Sequence, residues 1–310
     1  MAKFKKVKKS TWFLIIGLVI FIGLFYNSCR RSKLRTVDRR DEFFRTNDSL
    51  DAISRDTIFY KVKNTNKKLK MAWSRNASTI QRQVINDLLA QLIYVEGGTF
   101  SFGCLESIDT LCTDYEKPVQ KVTLSPYYIA QYEVTQILYS NVMGHNPNAI
   151  KNNTYPVTNV SWNDAQDFIK RLNHLTSLHF ALPTEAQWEY AAKGGNKSNN
   201  TVYAGHKDIR KVAWYIENSN RMYHNVGKLI PNELNLYDMC GNVWEWCSDY
   251  YAPYTPEAKT DPTGPKTGLN RLYRGGSWLD NQVFTRISYR NNGTPNQKMN
   301  CLGFRLILIP

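Results

Sequence analysis

Two helices with clear start signals, followed by a long aromatic tract with no helical period, constrain this chain more than any other feature. Ser161 stands before Trp162 with Asp164 three residues on, a near capping box in which Asp replaces Glu. Trp162, Ala165, Phe168, Ile169 and Leu172 then recur at three- and four-residue steps and mark one apolar face. Thr184 repeats the device: Trp188, Ala191 and Ala192 pack, and Gly194-Gly195 stops the helix. After Gly195 the chain breaks into short aromatic stretches divided by Gly, Asn and Pro, closing on the strand LGFRLILIP. Upstream, IYVEGGTFSFG (93–103) reads as strand, glycine turn, strand. VTLSPYYIAQYEVT (122–135) reads as a strand pair turning at Ser125-Pro126. The composite is an α+β fold rich in loops, with its helices early and its short strands late.

Charge divides the chain unevenly. Residues 1–90 hold 20 Lys+Arg against 7 Asp+Glu, whereas 91–310 hold 20 against 19. The basic excess therefore sits on the N-terminal third, which fits a membrane-proximal tail and excludes a nucleic-acid-binding domain. Five lysines within residues 3–9 precede an uncharged apolar run at 12–26. As a helix that run rises about 22 Å, short of a membrane's hydrocarbon thickness and closer to a signal-peptide core. A small residue, Ser28, precedes Cys29. Two outcomes stand: cleavage with lipid attachment at Cys29, against which bulky Tyr26 and Arg30-Arg31 weigh, or an uncleaved anchor. Either exports the rest of the chain, to the periplasm or the cell surface. The organisation read from sequence is a signal or anchor at 1–29, a basic polar stalk at 30–90 and a main domain at 91–310. The stalk carries a helix near 78–92, with Ile80, Val84, Leu88, Leu89 and Leu92 on one face.

An exported chain can form disulfides. Cys104 and Cys112 flank the loop-like insert CLESIDTLC and make a plausible bridge. Cys240 and Cys247 are close in sequence, but their apolar surroundings fit buried thiols as readily. No cysteine pair has zinc-site spacing, and the histidines at 145, 174, 179, 206 and 224 are scattered. Trp188, Trp244 and Trp246 read as core aromatics. Glu189 reads as a residue that ties down a helix end, Gly241-Asn242 as a turn accepting positive φ, and Arg305 as the partner of a buried acid.

Seven blocks occur in an order that resembles the formylglycine-generating enzyme (sulfatase-modifying factor) family. They are YVEGGTFSFG (94–103), YEVTQILY (132–139), PVTNVSWNDAQDFIKRLN (156–173), LPTEAQWEYAAKGG (182–195), PNELNLYDMCGNVWEWCSDYY (231–251), RLYRGGSWLDN (271–281) and LGFRLI (302–307). The resemblance implies that family's variant of the C-type lectin fold. It also implies a structural calcium near the Gly241-Asn242 turn, with oxygen ligands from Asn242, Val243 and Glu245. The family's enzymes carry two cysteines after the Gly-Gly-Ser motif, which bind copper and oxidise a substrate cysteine. Counted from Ser277, those positions are Asp280 and Thr285, neither of which offers a thiolate, so no copper is expected. Cys301 is the wrong candidate by spacing. Ala181 stands where an arginine is usual before LPTE. Other enzymes of the family hold iron through histidines of a helical domain that this chain lacks.

The expected function is a non-catalytic, membrane-anchored binding or structural protein for a protein or cell-surface ligand. Its ligand face would be Trp278, Asp280, Asn281, Gln282, Phe284, Thr285, Tyr289, Asn291 and Asn292, with help from 214–223. Aromatics mixed with short polar side chains suit recognition. The alternatives are a sulfatase-modifying oxidoreductase with an unconventional site, a lipoprotein of a gliding or secretion machine, and a retroelement-diversified receptor.

Overall fold

Residues 57–62 and 67–310 are described by a computed structural model, and all lie in the unit Asp56–Pro310. The apolar run at 12–26, Cys29 as the expected lipidation site and the start of the expected stalk lie outside the described residues. Within them, no helix is long and apolar enough to cross a membrane.

The boundary at residue 91 moves. Strands β1 (Thr57–Lys61) and β2 (Lys68–Ala72) pair antiparallel, and helix α1 (Thr79–Ala90) follows. Ser78 caps α1 in a full capping box with Gln81. Val62, Leu69, Met71 and Trp73, together with Val84, Ile85, Leu88 and Leu89 of α1, are buried in the same cluster as Phe168 and Phe304. The supposed stalk from residue 57 onward is thus part of the body. Ile58, Tyr60, Val62 and Leu69, Met71, Trp73 alternate with period two, a strand pattern broken by polar residues between its halves. Ile80 leaves the expected apolar face, at 63% exposure, and Ile85 is buried with it instead.

Strands β3 (Leu92–Val95), β4 (Gly98–Phe102), β5 (Gln120–Leu124) and β6 (Tyr127–Ala130) come next, followed by helices α2 (Gln136–Met143) and α3 (Trp162–Thr176). Strand β7 (Phe180–Ala181) and helix α4 (Glu185–Ala192) complete the first half. The capping boxes at Ser161 and Thr184 form as expected. Ser125-Pro126 does not close a hairpin. β5 pairs with β4 and β6 with β3, so both tight turns carry the chain from one sheet to another. Local sequence marks a turn but not the partner of the strand leaving it.

The second half supplies β8 (Ala213–Trp214), β9 (Cys240–Gly241), β10 (Trp244–Tyr250), β11 (Lys259–Thr260), β12 (Arg271–Arg274), β13 (Arg290–Gly293), β14 (Leu302–Phe304) and β15 (Ile307–Leu308). The closing run is therefore two strands. β14 pairs parallel with β10, whereas β15 sits between β6 and β7. Arg305 lies between them, fully buried and bonded to Glu245, the acid partner expected for it. Trp188, Trp244 and Trp246 are buried, also as expected.

Candidate functional site

The segment after β12 turns on two glycines. Gly275 has φ 97° and Gly276 has φ 72°, and a Cβ at Gly275 would lie 3.2 Å from the Trp188 ring. The turn seats Ser277 in the interior, where its hydroxyl donates to Asp280. Trp278 N–H donates to the Asn242 carbonyl at 2.9 Å, and the Ser219 hydroxyl donates to the Trp278 carbonyl at 2.9 Å. Ile216 N–H donates to the Asp280 carbonyl at 3.0 Å. Residues 214–223 thus abut the start of the segment.

Arg286 fixes the middle. Its guanidinium is fully buried and donates to Asp109 (2.6 Å), to Glu116 (2.7 and 2.9 Å) and to the Val283 carbonyl (2.8 Å). Asp109 lies on the loop closed by the Cys104–Cys112 disulfide, the expected bridge, and Glu116 lies in the short helical turn Asp114–Glu116 that follows it. Arg290 then pairs with Glu185 at 2.6 Å and donates to the Tyr115 carbonyl at 3.1 Å. The polar tract is therefore tied at both ends and in its middle.

The expected ligand face narrows accordingly. Asn281 and Gln282 are exposed, and Asp280, Phe284, Tyr289, Asn291 and Asn292 are half-buried. Trp278 and Thr285 are corrected. Trp278 is 8% exposed and packs in the core, and Thr285 is fully buried with its hydroxyl on the Gln282 carbonyl at 3.1 Å. Leu279 and Ile216, within the expected segments but not named among the face residues, and Leu111 and Tyr115, outside them, are all exposed large apolar side chains. Leu279 could have been noticed as an apolar residue stranded in a polar run. Phe284 and Tyr289 meet edge to face, their centroids 5.0 Å apart.

Cys301, immediately before β14, has its thiol beside Ser277 and Asp280, the latter being the family's first cysteine position. Burial, with the nearby Asp280 charge, pushes that thiol up to about 11, so it is protonated at neutral pH and a weak nucleophile. Burial also raises the Asp280 carboxyl, against the hydrogen bonds from Ser277 and Trp244 that favour its charge. Cys240 and Cys247 are free buried thiols, which resolves the alternative left by their spacing.

Two of the residues expected to hold calcium, Asn242 and Glu245, have their side chains engaged elsewhere. Gly241 (φ 74°) and Asn242 (φ 58°) form the expected positive-φ turn. The Asn242 amide is already engaged: it donates to Glu133 at 2.9 Å and accepts from His224 N–H at 2.9 Å. The Glu245 carboxylate takes Arg305 and the Trp188 indole (2.7 Å). The orphans beside them are Glu133 Oε2 and Asp238 Oδ1, both buried without a partner. Burial first, and the neighbouring acids after it, raise the Glu133 carboxyl well above the usual range and the Asp238 carboxyl to about 6, so a cation held there would favour their charged forms. The other grouping of potential ligands, Cys104, Asp109, Cys112 and Glu116, is consumed by the disulfide and Arg286.

Short strands around a loop-rich face, closed by the Arg305 strand pair, define a C-type lectin-like fold of the formylglycine-generating enzyme kind. Residues 77–309 match the family described as "Sulfatase-modifying factor enzyme 1-like domain", and the chain belongs to that family. It is 32% identical over 249 residues to "Chaperone protein LppX" of Paenibacillus barcinonensis, covering 64% of this chain and 82% of that one. It is 26% identical over 302 residues to the "Formylglycine-generating enzyme" of Thermomonospora curvata, covering 74% and 97%. Among solved structures, "Treponema denticola variable protein 1" superposes with a TM-score of 0.64 at 26% identity, covering 83% of this chain and all of that one.

Proposed function

We propose that this chain is a non-catalytic, membrane-anchored, exported binding module that presents residues 279–292 to a protein or cell-surface ligand. One observation carries the reading. The two family cysteine positions hold Asp280 and Thr285; the first is bonded to Ser277 and the second is fully buried. Neither can bind copper as a thiolate or form the mixed disulfide that cysteine oxidation requires. The exposed remainder, Leu279, Asn281 and Gln282 with half-buried Phe284 and Tyr289, mixes apolar anchors with amides on a pinned backbone. Similarity to a protein named as a chaperone and to one named as variable supports a protein ligand.

Calcium fits as a structural ion. Asp238 and Glu133 would hold it with their unpartnered oxygens, beside Glu245. It would supply charge neutralisation within the body, and no chemistry at the 279–292 face depends on it.

The test is copper(I) titration together with oxidation of a cysteine-containing peptide under oxygen. No tight copper binding and no oxidised peptide are expected. Cys301 is the residue through which the opposite result would arise, because its thiol lies beside Asp280, which occupies the first family cysteine position. Turnover abolished by Cys301→Ser would refute the binding reading in favour of an unconventional oxidoreductase.

A further inference from the structure

The hairpin of β1 and β2 presents two different faces, although Ile58, paired with Met71 at the open end, is itself 38% exposed. Leu69, Met71 and Val62 turn inward and are buried in the core cluster. The other face carries Phe59, Lys61, Lys68 and Lys70. Register sets Phe59 opposite Lys70 and Lys61 opposite Lys68. All four are exposed, Phe59 at 65%. Among the described residues no acid pairs with these three lysines. Lys67, at the start of β2, is otherwise engaged, donating to the Tyr94 hydroxyl at 2.9 Å.

Like charges directly across an antiparallel pair destabilise it, and an exposed phenylalanine gains nothing from water. Both features are favourable against one kind of surface. At an anionic bilayer the aromatic ring enters the interface while lysine stems lie along it with their ammonium groups at the headgroups. The rigid inner face keeps all four side chains on one plane, so the contact needs little ordering. Distance permits it: the chain between Cys29 and Thr57 reaches at most about 95 Å when extended.

We propose that the outer face of this hairpin, Phe59 with Lys61, Lys68 and Lys70, docks the body onto an anionic phospholipid surface. The inference rests on the proposal that the chain is membrane-anchored, and it adds which side of the body faces the bilayer. The anchor tethers the body, and the hairpin orients it.

The experiment uses residues 56–310, which contain both hydrophobic clusters and every described element, so that the apolar run contributes nothing. Co-sedimentation is measured with vesicles of phosphatidylcholine alone and with vesicles that are one quarter phosphatidylglycerol. Binding is expected only to the latter, weakening as salt rises. Lys61→Glu, Lys68→Glu and Lys70→Glu together should lower partitioning by on the order of 100-fold, and Phe59→Ser by roughly tenfold. Lys68→Glu alone removes the like-charge pair with Lys61, so it should fold at least as stably while still binding more weakly. That variant separates loss of docking from loss of fold. Equal sedimentation with both vesicle types, or an unchanged partition for the triple variant, overturns the proposal. So does binding to heparin without binding to vesicles, which would identify an acidic polymer as the partner. The anchor is tested apart from this, by whether the full chain stays with membranes through a high-salt wash. Either result can fail without the other.

Discussion

Arg286→Met tests whether the 279–292 segment is a platform or a floppy loop. Arg286 is enclosed by Asp109, Glu116, Ser288 and the Val283 carbonyl, with no part of it reaching solvent. Methionine fills much of the same volume but leaves two buried carboxylates without a counterion. Removing one partner of a buried pair costs about 3–5 kcal/mol, most of it the penalty on the charge left behind. Here two charges are left, so the upper end of that range applies. The assay is urea unfolding followed by tryptophan fluorescence, with the Cys104–Cys112 bridge kept oxidised so that the loop closure is common to both proteins. The partner test is decisive. Adding Asp109→Asn and Glu116→Gln to Arg286→Met removes both stranded charges and should return at least half of the lost stability, since the cost is electrostatic rather than a packing defect. A loss below about 1 kcal/mol for the single variant would mean that the acids relax into water. The segment would then be held by something other than this cluster, and the platform argument fails.

Three further outcomes follow from the same geometry. Asp249, buried beside Glu185, has its carboxyl pushed up to about 7 by burial first and by the Glu185 charge second. Its folded value is raised, so its contribution to stability is present below pH 4 and lost as pH rises toward 7. Asp249→Asn should therefore be more stable than wild type at pH 8, by up to about 4 kcal/mol, and show no such gain at pH 4, read by thermal melts at both pH values. Gly275→Val should cost at least about 2 kcal/mol, because a β-branched residue must adopt φ 97° and its Cβ would press on the Trp188 ring; an unchanged melting temperature would contradict the turn. Asp280→Ala should cost about 1–3 kcal/mol by leaving the Ser277 hydroxyl without its acceptor. The sequence alone, reading Asp280 as a surface residue, leads one to expect a cost within about 0.5 kcal/mol.

What the sequence made legible was local. Ser161 and Thr184 announced their helices because a cap is chemistry between residues three apart. Gly241-Asn242 announced its turn because positive φ selects those residues. The Cys104–Cys112 bridge was readable because its loop is short. Contacts that cross the chain were not readable. Nothing in IYVEGGTFSFG says that its two strands enter different sheets, since alternation specifies a face and not a partner. The hairpin before residue 73 reads as a stalk because its few buried residues, Val62, Leu69, Met71 and Trp73, are split by a polar stretch and surrounded by lysines. Likewise the ligand face seemed broader in sequence, because Trp278 and Thr285 sit among polar neighbours and only the Gly275-Gly276 turn sends them inside.

The interior arginines explain how so irregular a chain holds one shape. A loop-rich body leaves many backbone carbonyls without a helix or ladder partner, and each must be bonded when buried. Arg274 donates to the carbonyls of Ile287 and Ser288, Arg286 to Val283, Arg290 to Tyr115, and Arg305 to Ala130 and Tyr237. Each is neutralised by acids from elsewhere in the chain: Arg274 and Arg290 by Glu185 and Glu189 on α4, Arg286 by Asp109 on the disulfide loop and Glu116 in the turn after it, and Arg305 by Glu245 on β10. A guanidinium offers five donors in a fixed fork, so it can pair with a carboxylate and still satisfy a distant carbonyl. Lysine at these positions would keep the charge and lose the second contact. Loop conformation is thereby set by buried groups rather than by the side chains that reach solvent. Leu279, Asn281 and Gln282 contribute no ion pair to that framework. A binding role at this face is compatible with the fold for that reason: Leu279, Asn281 and Gln282, which would meet a ligand, carry none of the buried ion pairs, and Asn281 holds only its own turn by accepting from Val283 N–H at 2.9 Å.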